Sequence, residues 1–255
     1  MHNDQARLVI TQGANYLQAM SDAPKVAVFF DFDHTLIDVN SGLLYAKFER
    51  RKGRVSLLIL LRVAFWMVLY RLSIIDMEKA YRRALAHYRG HSDVDMATRA
   101  QDWFAEEVPS RLQPGARIAL DYHRDQAHLG AVLTTSSCYV ARCAAQYFNL
   151  DEGIGNSFSL DTEGCLDGDF NAPLCYGNGK IEWARRWAEP RGIALEDCYF
   201  YTDSYSDLPM LKVVAHPRVV NPDFRLRRVA RKRGWPILDW RTDKQAIPER
   251  DLHAD

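Results

Sequence analysis

Residues 28–38 read VFFDFDHTLID. The apolar run Lys25–Phe32 is rich in β-branched and aromatic residues, which predicts a buried strand. Two aspartates, Asp31 and Asp33, stand one residue apart at its exit. Close carboxylates repel, and burial raises the cost of ionising both. A bound cation is the compensation such a pair calls for. In extended backbone, residues two apart project to the same side, so both carboxylates would face one site.

Working outward, helical patterning extends from about Ser41 to Leu112. LGAVLT at Leu129–Thr134 predicts a second buried strand, and Ser137–Phe148 a helix. FSLDTEGCLDGDF at Phe158–Phe170 alternates around glycines and predicts a β-hairpin. Ile181–Arg191 reads as a helix, and Cys198–Thr202, Val213–Val220 and Pro236–Leu238 as further strands. Strands alternating with helices predict an α/β fold built on a Rossmann-like parallel sheet. Asp31 and Asp33 follow the first strand, Thr134 and Thr135 end the second, and Asp203 ends a later one. Open parallel sheets bind ligands outside the carboxyl ends of their strands, so these residues converge on one edge.

Composition bounds the rest. The 255 residues are 47% hydrophobic, enough for one large globular core with an insert. Lys+Arg and Asp+Glu are 33 each, a balance that points to no polyanionic partner and no nucleic acid. The basic run Arg225–Arg233 alternates with Leu226, Val229 and Ala230, as a solvated amphipathic helix does. Five cysteines without a CxxC pair predict reduced thiols. His87 and His91 are four apart, but Gly90 interrupts their helix and argues against a zinc pair. Residues 1–22 lack a basic start followed by an apolar block. They are expected to be a peripheral extension of a cytoplasmic protein, with attachment to the membrane periphery left open.

The polar residues also carry a resemblance. DFDHT at Asp31–Thr35 resembles the DxDxT motif of the haloacid dehalogenase superfamily of phosphatases. Thr134 in AVLTTSS, Lys180 in GNGKIEWARRW, and Asp203 with Asp207 in YTDSYSDLPML resemble its second, third and fourth motifs. VVNPDFRLRRVARKRGWPIL is similar to the phosphoserine-phosphatase-like branch, the IB hydrolases. Thr202 departs from the pattern, since many members have Gly there. The resemblance spans about residues 25–240. It implies a catalytic core from 23–40 and 113–240, a small all-α cap at 41–112 and a tail at 241–255. It also implies Mg²⁺-dependent phosphomonoester hydrolysis through an aspartyl-phosphate. Asp31 would be the nucleophile and Asp33 the general acid and base. Thr134, Thr135 and Lys180 would hold the phosphoryl group. Asp31, Asp203 and the backbone carbonyl of Asp33 would bind Mg²⁺, and Asp207 would act through metal-bound water or by holding Lys180. The superfamily's dehalogenases lack the second aspartate, so Asp33 favours phosphate chemistry. Transfer to an alcohol acceptor remains the enzymatic alternative, and a non-catalytic phosphate-binding module the third reading. His34 is simply tolerated within the motif.

Leu57–Ile75, LLILLRVAFWMVLYRLSII, is the most apolar stretch. Arg62 and Arg71 are nine residues apart, so at about 100° per residue they lie on opposite helix faces. A buried cap helix or dimer contact, a membrane-surface helix with ERRKGR (Glu49–Arg54) at the headgroups, and a membrane span all remain open. Phosphoserine phosphatases carry Glu soon after DxDxT, where this chain has Asn40. RVSLL at Arg54–Leu58 lies too close to the first motif to match their cap arginine. These departures point away from phosphoserine. The apolar insert suits a lipid phosphate or another amphiphilic phosphomonoester.

Overall fold

The computed structural model describes residues 26–58, 61, 77–243, 246–248 and 251. Six strands form one parallel sheet in the order β3-β2-β1-β6-β7-β8. They are β1 (Ala27–Phe30), β2 (Leu129–Ser137), β3 (Glu152–Asn156), β6 (Tyr199–Thr202), β7 (His216–Val220) and β8 (Ile237–Leu238). β4 (Phe158–Leu160) and β5 (Leu166–Phe170) make a separate antiparallel hairpin.

Every residue of β1 is buried, as a central strand covered on both faces requires. Val28 and Phe30 join one apolar layer with Ala116, Ala119 and Leu120 of α4 (Pro114–Asp125). α5 (Cys138–Phe148) packs into the same layer through Cys143, Ala144 and Phe148. Ala27 and Phe29 face the other layer, with Ala184, Trp187 and Ala188 of α6 (Asn178–Ala188). Leu226 and Ala230 of α8 (Phe224–Arg233) close that side, so the basic run is an amphipathic helix as its pattern predicted. The short helix α7 (Leu208–Leu211) follows β6.

Between β1 and α4 lie α1 (Ser41–Arg51), α2 (Met77–Leu85) and α3 (Asp93–Glu107). Met96, Ala100, Trp103 and Phe104 of α3 enter the layer that holds Phe32, Leu36 and Phe148. The connector before α3 also pairs with the hairpin. Gly90 N–H donates to the Leu166 carbonyl at 2.8 Å, and Leu166 N–H to the His91 carbonyl at 2.9 Å.

The first strand is shorter than its apolar run, because Phe32 already sits in the turn that carries the aspartates. β7 begins at His216 rather than Val213, and α6 starts three residues before Ile181, so Lys180 lies in its first turn. β3, EGIGN, escaped the sequence pattern altogether. Its glycines reflect close packing rather than a turn. A Cβ on Gly153 would meet the Ala141 carbonyl oxygen at 2.3 Å, and one on Gly155 the Ser136 carbonyl oxygen at 2.8 Å. All five cysteines are free, and His91 turns its Nδ1 to the Tyr88 carbonyl at 3.1 Å. Residues 1–22 and most of Leu57–Ile75 fall outside the described residues. Leu57, Leu58 and Leu61 are described, and they are exposed. Among the described residues, no helix is long and apolar enough to cross a membrane.

Candidate active site

Asp31 and Asp203 directly follow β1 and β6, whereas β2 runs past Thr134 and Thr135 to Ser137, with an irregular register after Leu133, so these two threonines lie within the strand rather than at its end. Asp31 is the first residue beyond β1, and its N–H donates to the Tyr201 carbonyl of β6 at 2.9 Å. The chain then turns sharply. Ile37 N–H closes back on the Phe32 carbonyl at 3.1 Å, with His34 in the left-handed region at φ 56°. Gln113 braces this turn from beneath. Its Nε2 donates to the carbonyls of His34 and Thr35 at 2.9 and 2.7 Å, and its Oε1 accepts from Asn221 Nδ2 at 2.6 Å.

Lys180 joins two of the aspartates. Its Nζ donates to Asp31 Oδ1 at 2.9 Å and to Asp207 Oδ2 at 2.7 Å. Lys180 and Asp207 are each 1% exposed. Thr202 Oγ1 donates to the same Asp207 oxygen at 2.7 Å and accepts from Ser204 N–H at 3.2 Å. Lys180 reaches this depth because α6 begins against the preceding loop. A Cβ on Gly179 would lie 1.8 Å from the Leu174 carbonyl oxygen.

Burial pushes the Asp31 carboxyl up to about 7. The Lys180 ammonium pulls it down and the Asp207 charge adds to the rise. For Lys180, burial works against the charge, but Asp207 and Asp31 together outweigh it and hold the ammonium above the usual lysine range. Burial raises Cys175 to about 12, so the thiol beside this cluster stays protonated and is a poor nucleophile. Asp203 is buried, and its carbonyl accepts from Asp223 N–H at 3.0 Å.

Asp33 points to a different set of partners. Ser41 N–H donates to its Oδ1 at 2.8 Å and Asn40 Nδ2 to its Oδ2 at 3.1 Å. Burial raises its pKa, and the bonds from Ser41 counter part of that rise. Thr134 is buried and its Oγ1 accepts from Ser136 N–H at 3.1 Å. The Thr135 hydroxyl is spent elsewhere, donating to the Cys175 carbonyl at 3.0 Å.

The sequence model of the haloacid dehalogenase-like hydrolases matches residues 28–212, most of the chain and every residue placed above except Asp223 and Asn221. The chain belongs to this family. The relative called phosphoserine phosphatase SerB1, from Mycobacterium tuberculosis, is 29% identical over 86% of this chain and 72% of its own length. A histidinol-phosphatase from Neisseria meningitidis is 26% identical over 85% of this chain and its whole length. A solved structure from Bordetella pertussis Tohama I, of a protein of unknown function, superposes with a TM-score of 0.77. It is 27% identical over 86% of this chain and all of its own. The chain is thus a hydrolase of this family, with phosphatases among its relatives.

Against that family background, sequence reasoning missed Thr202, Asn40, Ser41, Ser136 and Gln113. In sequence Thr202 stands out only as a departure from Gly, whereas its hydroxyl is bonded to Asp207. Asn40 stands out only for lacking a carboxylate, whereas its amide is bonded to Asp33. A signal for Asn40 was present, since Asn-Ser before a helical run marks an N-cap.

Proposed function

We propose that the protein is a Mg²⁺-dependent phosphomonoester hydrolase working through an aspartyl-phosphate on Asp31. The observation that carries this reading is the buried Asp31–Lys180–Asp207 cluster beside a second aspartate held by separate partners. A structural ion pair needs one carboxylate and no second aspartate at the same strand end.

The donor set fits Mg²⁺. Asp31, Asp203 and the Asp33 carbonyl offer hard oxygens of the kind this ion takes. Asp207 Oδ1 is buried without a hydrogen-bond partner among the described residues, an acceptor open to a metal-bound water. Among the described residues, no three His, Cys, Asp or Glu side chains cluster as a metal cage. Mg²⁺ keeps several waters and binds through one or two carboxylates plus substrate phosphate. When bound, the ion neutralises charge on the phosphate and on the carboxylates around it.

The chain's own residues supply the rest. An Asp31 carboxylate oxygen attacks phosphorus as the bond to the alcohol oxygen breaks. Asp33, whose raised pKa favours a held proton, gives that proton to the departing alcohol. Asp33 then takes a proton from the water that attacks phosphorus, freeing inorganic phosphate and restoring Asp31. Lys180 offsets charge on Asp31 and the transferred group, and the Thr134 hydroxyl with the Thr135 N–H holds the phosphoryl oxygens.

The substrate reading is a small phosphomonoester of a primary alcohol. The relatives' names, phosphoserine phosphatase and histidinol-phosphatase, are those of enzymes for amino-alcohol phosphates, and Asn40 in place of Glu favours a member of that class other than phosphoserine. The apolar stretch Leu57–Ile75 makes an amphiphilic ester the second candidate. The test is phosphate release from phosphoserine, histidinol phosphate, p-nitrophenyl phosphate and a lysophospholipid phosphate, each with Mg²⁺ and with chelator. Release that needs Mg²⁺ and is not restored by Ca²⁺ is expected. Full release in chelator, or none from any ester, would overturn the reading. Adding an alcohol acceptor and analysing products separates hydrolysis from transfer.

A further inference from the structure

The two oxygens of Asp33 are held by the first residues of α1. Asn40 spans two tasks with one amide. Its Nδ2 donates to Asp33 Oδ2 at 3.1 Å, while its Oδ1 accepts from Leu43 N–H at 2.9 Å and caps the helix. Ser41 adds its N–H to Asp33 Oδ1 at 2.8 Å. Its hydroxyl, buried, meets Ser136 Oγ at 2.6 Å, and Ser136 N–H donates to Thr134 Oγ1 at 3.1 Å. A continuous hydrogen-bonded path therefore runs from Asp33 through the start of α1 to the end of β2.

Ser, Thr, Asp and Asn all cap helices well. Helix capping alone would not require asparagine here. Asp at position 40 would set a second carboxylate against Asp33, and Ser or Thr has no second polar group to reach it. Asn carries an acceptor for the helix and a donor for Asp33 on one planar group.

We propose that Asn40, assisted by Ser41, is a positioning residue that fixes the Asp33 carboxyl for proton transfer. The proposal rests on the phosphatase reading and deepens it. Both Asp33 oxygens are held from the start of α1, which fixes the plane of the carboxyl. The beginning of α1 and the acid/base group move as one body. Displacing the helix start removes proton transfer without touching Asp31, Lys180 or Asp207.

The test uses Asn40→Ser, which keeps a capping oxygen and replaces the amide that reaches Asp33 with a shorter hydroxyl one atom nearer the backbone. Single-turnover phosphoenzyme formation is measured with an alkyl phosphate and with p-nitrophenyl phosphate. Misplacing a proton donor is expected to slow the alkyl phosphate by about 10-fold or more. The p-nitrophenyl ester, whose leaving group departs without a proton, is expected to stay within about threefold, with KM unchanged for both. Equal slowing of both substrates, or no slowing, would overturn the proposal. A second measurement needs no turnover. Asn40→Ser is expected to lower Tm in the wild-type chain and to have no such effect in an Asp33→Ala background, because contacting residues couple. The same Tm loss in both backgrounds would overturn the contact. Coupled melting with no phosphate release from any ester would instead discard the phosphatase reading and retain the Asn40–Asp33 contact.

Discussion

Replacing Lys180 with methionine removes the ammonium while keeping most of the apolar stem. The nitrogen is 2.9 Å from Asp31 and 2.7 Å from Asp207, in a side chain 1% exposed. Removing one partner from a buried pair costs about 3–5 kcal/mol, because the remaining charge is stranded. At about 2–4 °C per kcal/mol for a chain of this size, the expected fall in Tm is about 6–20 °C. The pH dependence has a defined sign. Burial holds the folded Asp31 carboxyl up at about 7, above its ordinary 3.8. Between those values the folded chain holds a proton that the unfolded chain releases, so this group's contribution falls as pH rises through that window. Without Lys180 the folded carboxyl rises further, and the window extends upward. The deficit of Lys180→Met should therefore grow from about pH 5 to about pH 8 in chelator, and adding Asp31→Asn should recover part of it. Thermal and urea melts at both pH values check this. A deficit below about 1 kcal/mol at the higher pH, the level of an exposed pair, would refute the reasoning. So would a deficit equal at both pH values.

Asp33→Asn should slow phosphoenzyme formation from alkyl phosphates far more than from p-nitrophenyl phosphate, since a proton given in the transition state is worth about 10²–10⁴; equal slowing in single-turnover assays would assign Asp33 to loop support. Gly179→Ala should be severely destabilising, because its Cβ would stand 1.8 Å from the Leu174 carbonyl oxygen; a wild-type Tm would show that the loop yields freely. Thr202→Val should cost about 1–3 kcal/mol by leaving the buried Asp207 oxygen one donor short, and an unchanged urea midpoint would count against that bond.

The strand-end aspartates were legible because their spacing and the apolar runs before them are local signals. β1, β2 and β6 read directly as β-branched or aromatic stretches, and the alternation with helices gave the parallel sheet. β3 was illegible because Gly153 and Gly155 answer to the backbone of α5 and β2, not to strand propensity. The partners of the aspartates were harder still. Thr202 meets Asp207 across a turn, and Ser41 meets Ser136 across 95 positions of sequence. Such pairings depend on how the chain turns after β1 and β6, which residue types alone do not specify. Asn40 was visible as a helix cap but not as the partner of Asp33, because one side chain serves both.

The central claim is that Asp31 carries the phosphoryl group. Enzyme mixed with a turned-over ester and Mg²⁺, quenched in acid within one turnover, should yield an alkali-labile phosphate. Mass spectrometry of the digest should place it on the peptide containing Asp31 and show none on Asp31→Asn. Phosphate found on another residue, or steady turnover by Asp31→Asn at the wild-type rate, would contradict the account.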